Sequence, residues 1–238
     1  MNPPFDSAEP AADQPLQAAG MYINPIIDAD FPDPAVIEAD DGYYYASATQ
    51  TLHDGQWINI QVARSADLVA WEHLGDALPE RPAWAQETQD FWAPSVIFDG
   101  STYFMYYSAT PDRAREGPDH ALAIATSRSP AGPFVDMGQP FLAGKGFHNI
   151  DPMAFDCPVT GRHLLYWGSG FEPIKVRELA PDRTSFAEAS EPVELIWPNG
   201  KDGAFPRLVE ASWVIHHDAS STSSIRATIA AGPTPNMA

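Results

Sequence analysis

The apolar positions along the chain alternate with polar ones over strand-length runs, and three stretches repeat one order of events. They are DDGYYYASATQTLHDGQWINIQVARSADLVAWEHLG at 40–75, FDGSTYFMYYSATPDRAREGPDHALAIATSRSPAGPF at 98–134 and GRHLLYWGSGFEPIKVRELAPDRTSF at 161–186. Each opens on a turn rich in Asp or Gly. An aromatic strand follows: Tyr43 to Tyr45, then Tyr103 to Tyr107, then Leu164 to Trp167. Small residues, a loop and an aliphatic strand come next, and each stretch closes near a bulky aromatic, Trp71, Phe134 or Phe186. A period of about 60 residues with period-two alternation predicts an all-β array of the propeller kind. A β-sandwich with coincidental internal similarity is the alternative architecture.

Composition supports short strands over helices. The 238 residues include 24 prolines and 16 glycines, which interrupt long helices, and 44% hydrophobic residues, enough for a substantial core. A formal net charge of −19 repels nucleic acid and anionic membranes, so neither is an expected partner, whereas a neutral polymer such as a polysaccharide is not repelled. No stretch is apolar enough to span a bilayer. The single cysteine, Cys157, excludes an internal disulfide and a thiolate metal cluster. Residues 1–20 lack the basic start and apolar run of a signal peptide and read as a disordered leader. The compartment is left unassigned, cytoplasmic if that N-terminus is genuine.

Three carboxylates stand out against this background. Asp33 lies between Pro32 and Pro34, and Asp151 precedes Pro152. Proline biases the residue before it toward extended backbone and gives its side chain a defined direction. Both pairs precede a repeat's aromatic strand, so in a propeller they would occupy the same position in successive blades and converge on the axis. The plainer reading of Asp-Pro is a turn start. Glu210 interrupts the apolar strand RLVEASWVI, where burial would raise its pKa and suit it to donate a proton; an edge strand facing solvent is the other reading. Hydrolysis of a glycosidic bond uses such a set, one carboxyl protonating the leaving oxygen and one activating water. Aromatic residues near the acids would stack on sugar rings: Trp92 first, then Phe31 and Trp167, although tryptophan is also a common core filler of propellers. Pro94 places Trp92 on a fixed loop rather than in a central strand. There is no Gly-rich phosphate loop, no HExxH pair and no GxSxG elbow, and neither a metal nor a cofactor is called for.

The order of these motifs is similar to that of glycoside hydrolase family 43. NPIIDADFPDPAVI followed by YYYASAT resembles the family's opening; SADLVAWEHLGDAL, FWAPSVIFDGSTYFMYYSA, SRSPAGPF, NIDPMAFD and RLVEASWVI follow in its order, over roughly residues 22 to 217. The resemblance implies a five-bladed β-propeller and hydrolysis of arabinofuranosyl or xylosyl linkages in a carbohydrate substrate, with inversion at the anomeric carbon. It implies Asp33 as general base, Asp151 as pKa modulator and orienter, and Glu210 as general acid. The family commonly has glycine after the acid, where this chain has Ala211. A catalytically dead carbohydrate-binding propeller is the alternative function.

Five blades of about 60 residues need about 300, so this chain is expected to hold three blades and the start of a fourth. The expected division is a leader at 1–20, an incomplete glycosidase propeller at 21–217 and a non-native tail at 218–238. The tail has no aromatic strand. Codons permitted for Thr222 to Ala238, read one base out of frame, give HLFYSGDNCCGPNAQYG, which resembles a tail found in one branch of the family. A frameshift near Asp218–Ala219 is therefore expected, with poor stability or activity of the product.

Overall fold

The computed structural model describes residues 22–112, 119–169, 172–198, 209–219 and 222–230; the leader expected at 1–20 lies outside them. The described residues form seventeen strands and no helix. The first sheet takes β1 (Ala35–Glu38), β2 (Tyr44–Ala48), β5 (Gln61–Ser65) and β6 (Trp71–Asp76) in that order. A hairpin of β3 (Thr51–His53) and β4 (Gln56–Ile58) is inserted between its second and third strands. The second sheet runs β7 (Phe91–Phe98), β8 (Tyr103–Ala109), β9 (Ala121–Ser127) and β10 (Val135–Asp136), and β11 (Leu142–Ala143) also pairs with β9. The third contains β12 (Met153–Asp156), β13 (His163–Trp167), β14 (Ile174–Glu178) and β15 (Val193–Ile196). β16 (Glu210–Ala219) and β17 (Thr222–Ala230) form a final antiparallel hairpin.

Each sheet is a meander of neighbouring antiparallel strands, the pattern of a propeller blade. The aromatic and aliphatic strands read from the sequence are the two middle strands of each blade. One strand precedes them: β1, β7 or β12 lies ahead of the turn that opens each repeat. That turn is built by Asp and Gly. Between β7 and β8, the Asp99 carboxylate accepts the N–H groups of Ser101 and Thr102, and Gly100 takes φ +95°.

The blades stack through period-two alternation. All seven residues of β8 are buried, because the strand has a blade on either side. Tyr103, Met105 and Tyr107 pack with Tyr45, Ile60 and Val62 of the first blade. Phe104 and Tyr106 point the other way, to Ala154, Leu165 and Trp167 of the third. In β9 the small Ala123 and Ala125 face the first blade while Leu122 and Ile124 face the third. Successive side chains of a strand point to opposite faces, so one strand serves two interfaces. Val214 of β16 continues the stack against Met153 and Tyr166.

Candidate functional site

Four non-glycine residues at the starts of the four successive innermost strands have positive φ: Asp33 at 53°, Ala93 at 46°, Asp151 at 57° and Ala211 at 56°. They recur about every 60 residues, one per blade. Left-handed backbone is costly for residues with a Cβ, less so for Asp, and it persists where surrounding structure enforces it. Here β-bulges contribute. The ladder slips between Trp92 and Ser95 in β7, and between Glu210 and Ser212 in β16. Bulges redirect side chains at sheet rims. Pro94 sits in the first of these, so Trp92 belongs to an innermost strand rather than the loop expected from the proline. Asp33 and Asp151 do occupy equivalent positions, but in the first and third blades; Ala93-Pro94 fills that position in the second.

A hydroxyl from each blade reaches the axial segment of the next. Thr49, just beyond β2, donates to Asp33 Oδ2 at 2.6 Å and accepts the Ala93 N–H at 2.8 Å. Its own backbone is fixed, its N–H donating to Pro32 O and its carbonyl accepting from Gln61 Nε2. Ser108 in β8 accepts the Asp151 N–H at 3.1 Å. Ser169, just beyond β13, donates to Glu210 Oε2 at 3.1 Å. The small residues noted after each aromatic strand are therefore the clasps between blades, a role the repeat alone does not reveal.

These restraints converge on a cavity of about 600 Å³ whose wall includes Asp33, Asp151, Glu210, Thr49, Trp92 and Phe147. A second cavity of about 400 Å³ shares Asp33, Asp151 and Ala211 and runs along the three prolines Pro34, Pro94 and Pro152. Glu210 is partly buried and faces the first cavity, which fits the inward-pointing reading of its strand. The group whose ionisation the site opposes is Asp151. Burial pushes its carboxyl up to about 7, the Ala211 N–H bonded to Oδ2 at 3.0 Å pulls the other way, and the charges of Glu210 and Asp33 add to the rise.

The aromatic expectations divide. Trp92 lines the cavity beside the acids. Trp167 is 4% exposed, packs against Phe186 with ring centroids 5.7 Å apart, and lines neither cavity, so it is core. Phe31 meets the His73 ring edge-on at 6.4 Å and also lines neither. Both faces of a middle strand are covered in this stack, so aromaticity there signals packing. Phe147, which the sequence reading passed over, is in the wall and 43% exposed. Its position shortly before Asp151 was the available signal.

A model of glycosyl hydrolases family 43 matches residues 22–220. A probable arabinan endo-1,5-α-L-arabinosidase B of Aspergillus fumigatus is 31% identical over 213 residues, 78% of this chain and 54% of the relative. A β-xylosidase of Formosa agariphila is 28% identical over 127 residues, 50% of this chain and 19% of the relative. The chain thus spans between about a fifth and about a half of the length of these curated relatives. Among solved structures, a thermostable family-43 glycoside hydrolase superposes with a TM-score of 0.66 at 26% identity, over 90% of this chain and 73% of that one. An exo-1,5-α-L-arabinanase from a bovine ruminal metagenomic library gives 0.60 at 25% identity, over 79% and 62%. The stacked blades are part of the five-bladed propeller of these proteins. Sequence, blade order and the convergent carboxylates agree: the chain belongs to glycosyl hydrolase family 43.

Proposed function

We propose that the protein hydrolyses arabinofuranosyl or xylosyl linkages in neutral pentose polymers or oligomers, with inversion at the anomeric carbon. The observation that carries this is the meeting of Asp33, Asp151 and Glu210, from three different blades, in the wall of one cavity that also presents Trp92. Similarity to arabinanases and a xylosidase supports the substrate class.

Glu210 is the general acid: it protonates the glycosidic oxygen as the C–O bond breaks. Asp33 is the general base: it takes a proton from the water that attacks the opposite face of the sugar. The Thr49 hydroxyl fixes the rotamer of Asp33, leaving its other oxygen for that water. Asp151 orients the acid, because its Oδ2 holds the N–H of Ala211, the residue next to Glu210. A proton retained by Asp151 up to about pH 7 also limits the charge packed into the cavity.

Hydrolysis of p-nitrophenyl α-L-arabinofuranoside, p-nitrophenyl β-D-xyloside, arabinan and xylan tests the proposal. Glu210→Gln should lower kcat on polysaccharide by roughly 10²–10⁴-fold. The loss should be smaller on the nitrophenyl substrates, whose leaving group needs little protonation. Asp33→Asn should abolish both alike. Activity unchanged by either substitution would overturn the roles, and binding of sugar without turnover by the unmodified chain would make it a carbohydrate-binding module.

A further inference from the structure

Resting on that reading of the site, we propose that Ser169 is a positioning residue for the general acid, its hydroxyl holding one oxygen of Glu210 so that the other carries the proton to the glycosidic oxygen. The Ser169 hydroxyl donates to Glu210 Oε2 at 3.1 Å. Ser169 is 1% exposed, and both residues line the larger cavity. The bond engages Oε2, so Oε1 is the oxygen assigned to the leaving group. A serine hydroxyl can donate to a carboxylate, and a carboxylate has no proton to return. The bond therefore becomes charge-assisted and stronger as Glu210 gives its proton away. An interaction that tightens as the C–O bond breaks lowers the barrier, whereas one of constant strength only deepens binding.

The hydroxyl is placed by a segment with little room to shift. Gly168, between the end of β13 and Ser169, takes φ +124°, and a Cβ added there would lie 2.8 Å from the Pro173 carbonyl oxygen. Only glycine fits this turn. The Gly168 N–H donates to the Ile150 carbonyl at 3.0 Å, which ties the turn to the residue before Asp151. Glu210 is thus restrained twice from the third blade. Asp151 Oδ2 holds the backbone N–H of the next residue, Ala211, and Ser169 holds the Glu210 side chain itself. The backbone bond alone leaves the side-chain torsions of Glu210 free. A carboxyl swung away from the leaving oxygen cannot protonate it, so the second restraint is the one that aims the acid.

The test measures kcat and KM of the full chain and of its Ser169→Ala variant on α-1,5-arabinotriose, xylotriose and the corresponding p-nitrophenyl glycosides, each also in a Glu210→Gln background. Ser169→Ala should lower kcat on the better trisaccharide roughly tenfold, with KM within about twofold. On the nitrophenyl substrate, whose leaving group needs little protonation, the loss should stay below about threefold. Added to Glu210→Gln, Ser169→Ala should change the residual rate by less than about twofold, because no proton is left to position. No loss, equal losses on both kinds of substrate, or the same loss again in the Glu210→Gln background would overturn the positioning role while the hydrolase reading stands. If Glu210→Gln leaves turnover unchanged, or the unmodified chain cleaves none of these substrates, the hydrolase reading falls and the positioning role with it.

Discussion

The backbone N–H of Ala211 donates to Oδ2 of Asp151 at 3.0 Å, joining residues 60 positions apart. The bond links the third blade to the strand that carries Glu210, and it is made to the most strongly perturbed carboxyl of the site. Hydrogen bonding to the charged form favours ionisation, but burial and two neighbouring carboxylates outweigh it.

Stability should therefore fall as pH rises through this group. The Asp151 carboxyl moves from an ordinary 3.8 to about 7 in the fold. Between those values the native state binds more protons than the unfolded chain, so the contribution is full below about 3.8 and is lost by about 7. Asp151→Asn, which keeps an acceptor for the Ala211 N–H, should remove this slope. Urea unfolding at intervals from pH 4 to 8 should show the unmodified chain losing up to ~4 kcal/mol relative to the variant across that window. Parallel curves would count against the assignment.

Thr49→Val removes the hydroxyl between two blades while keeping its shape. The Ala93 N–H loses its acceptor and Asp33 its tether. A loss of ~1–3 kcal/mol is expected in urea unfolding. If Asp33 is the base, kcat should drop at least about tenfold with KM nearly constant, because the base is misaimed while the sugar contacts persist.

Ala211→Gly should act against the usual trend. Replacing alanine by glycine within a strand ordinarily costs ~0.5–1 kcal/mol. At φ +56° the methyl group is the strained partner, so the substitution should stabilise by up to ~1 kcal/mol, a rise of ~2–4 °C in Tm. Thermal unfolding followed by circular dichroism checks the sign. A fall in Tm would show that the bulge holds Ala211 without strain.

Much of this arrangement was legible in the chain. The Asp-Pro pairs and the charge within an apolar strand pointed to Asp33, Asp151 and Glu210, because proline and misplaced charge leave local signatures. The repeat showed the middle strands, since only those alternate with large aromatics. The innermost strands were harder to see: β12 has four residues, and β7 carries a proline and a bulge. Trp167 reads as pocket wall because the sequence gives the period of a strand but not which faces are covered, and Phe31, which lies ahead of β1 and outside any strand, because nearness to Asp33 along the chain does not fix where its ring points. Thr49, Ser108 and Ser169 carry no local signature at all. Their partners lie across blade junctions, and only the stacking of the blades brings them within reach.

The two-faced burial of β8 has a consequence for assembly. Blades that meet chiefly their sequence neighbours form a linear array, whose stability is a sum of unit and junction energies. Such an array can grow from one end as the chain is made, each new blade docking on the aromatic wall left by the last. The carboxylates of the first and third blades and Glu210 of β16 become neighbours only when three junctions have closed. Chemistry at the axis thus depends on every one of these junctions at once, and it would be lost if any single one loosened.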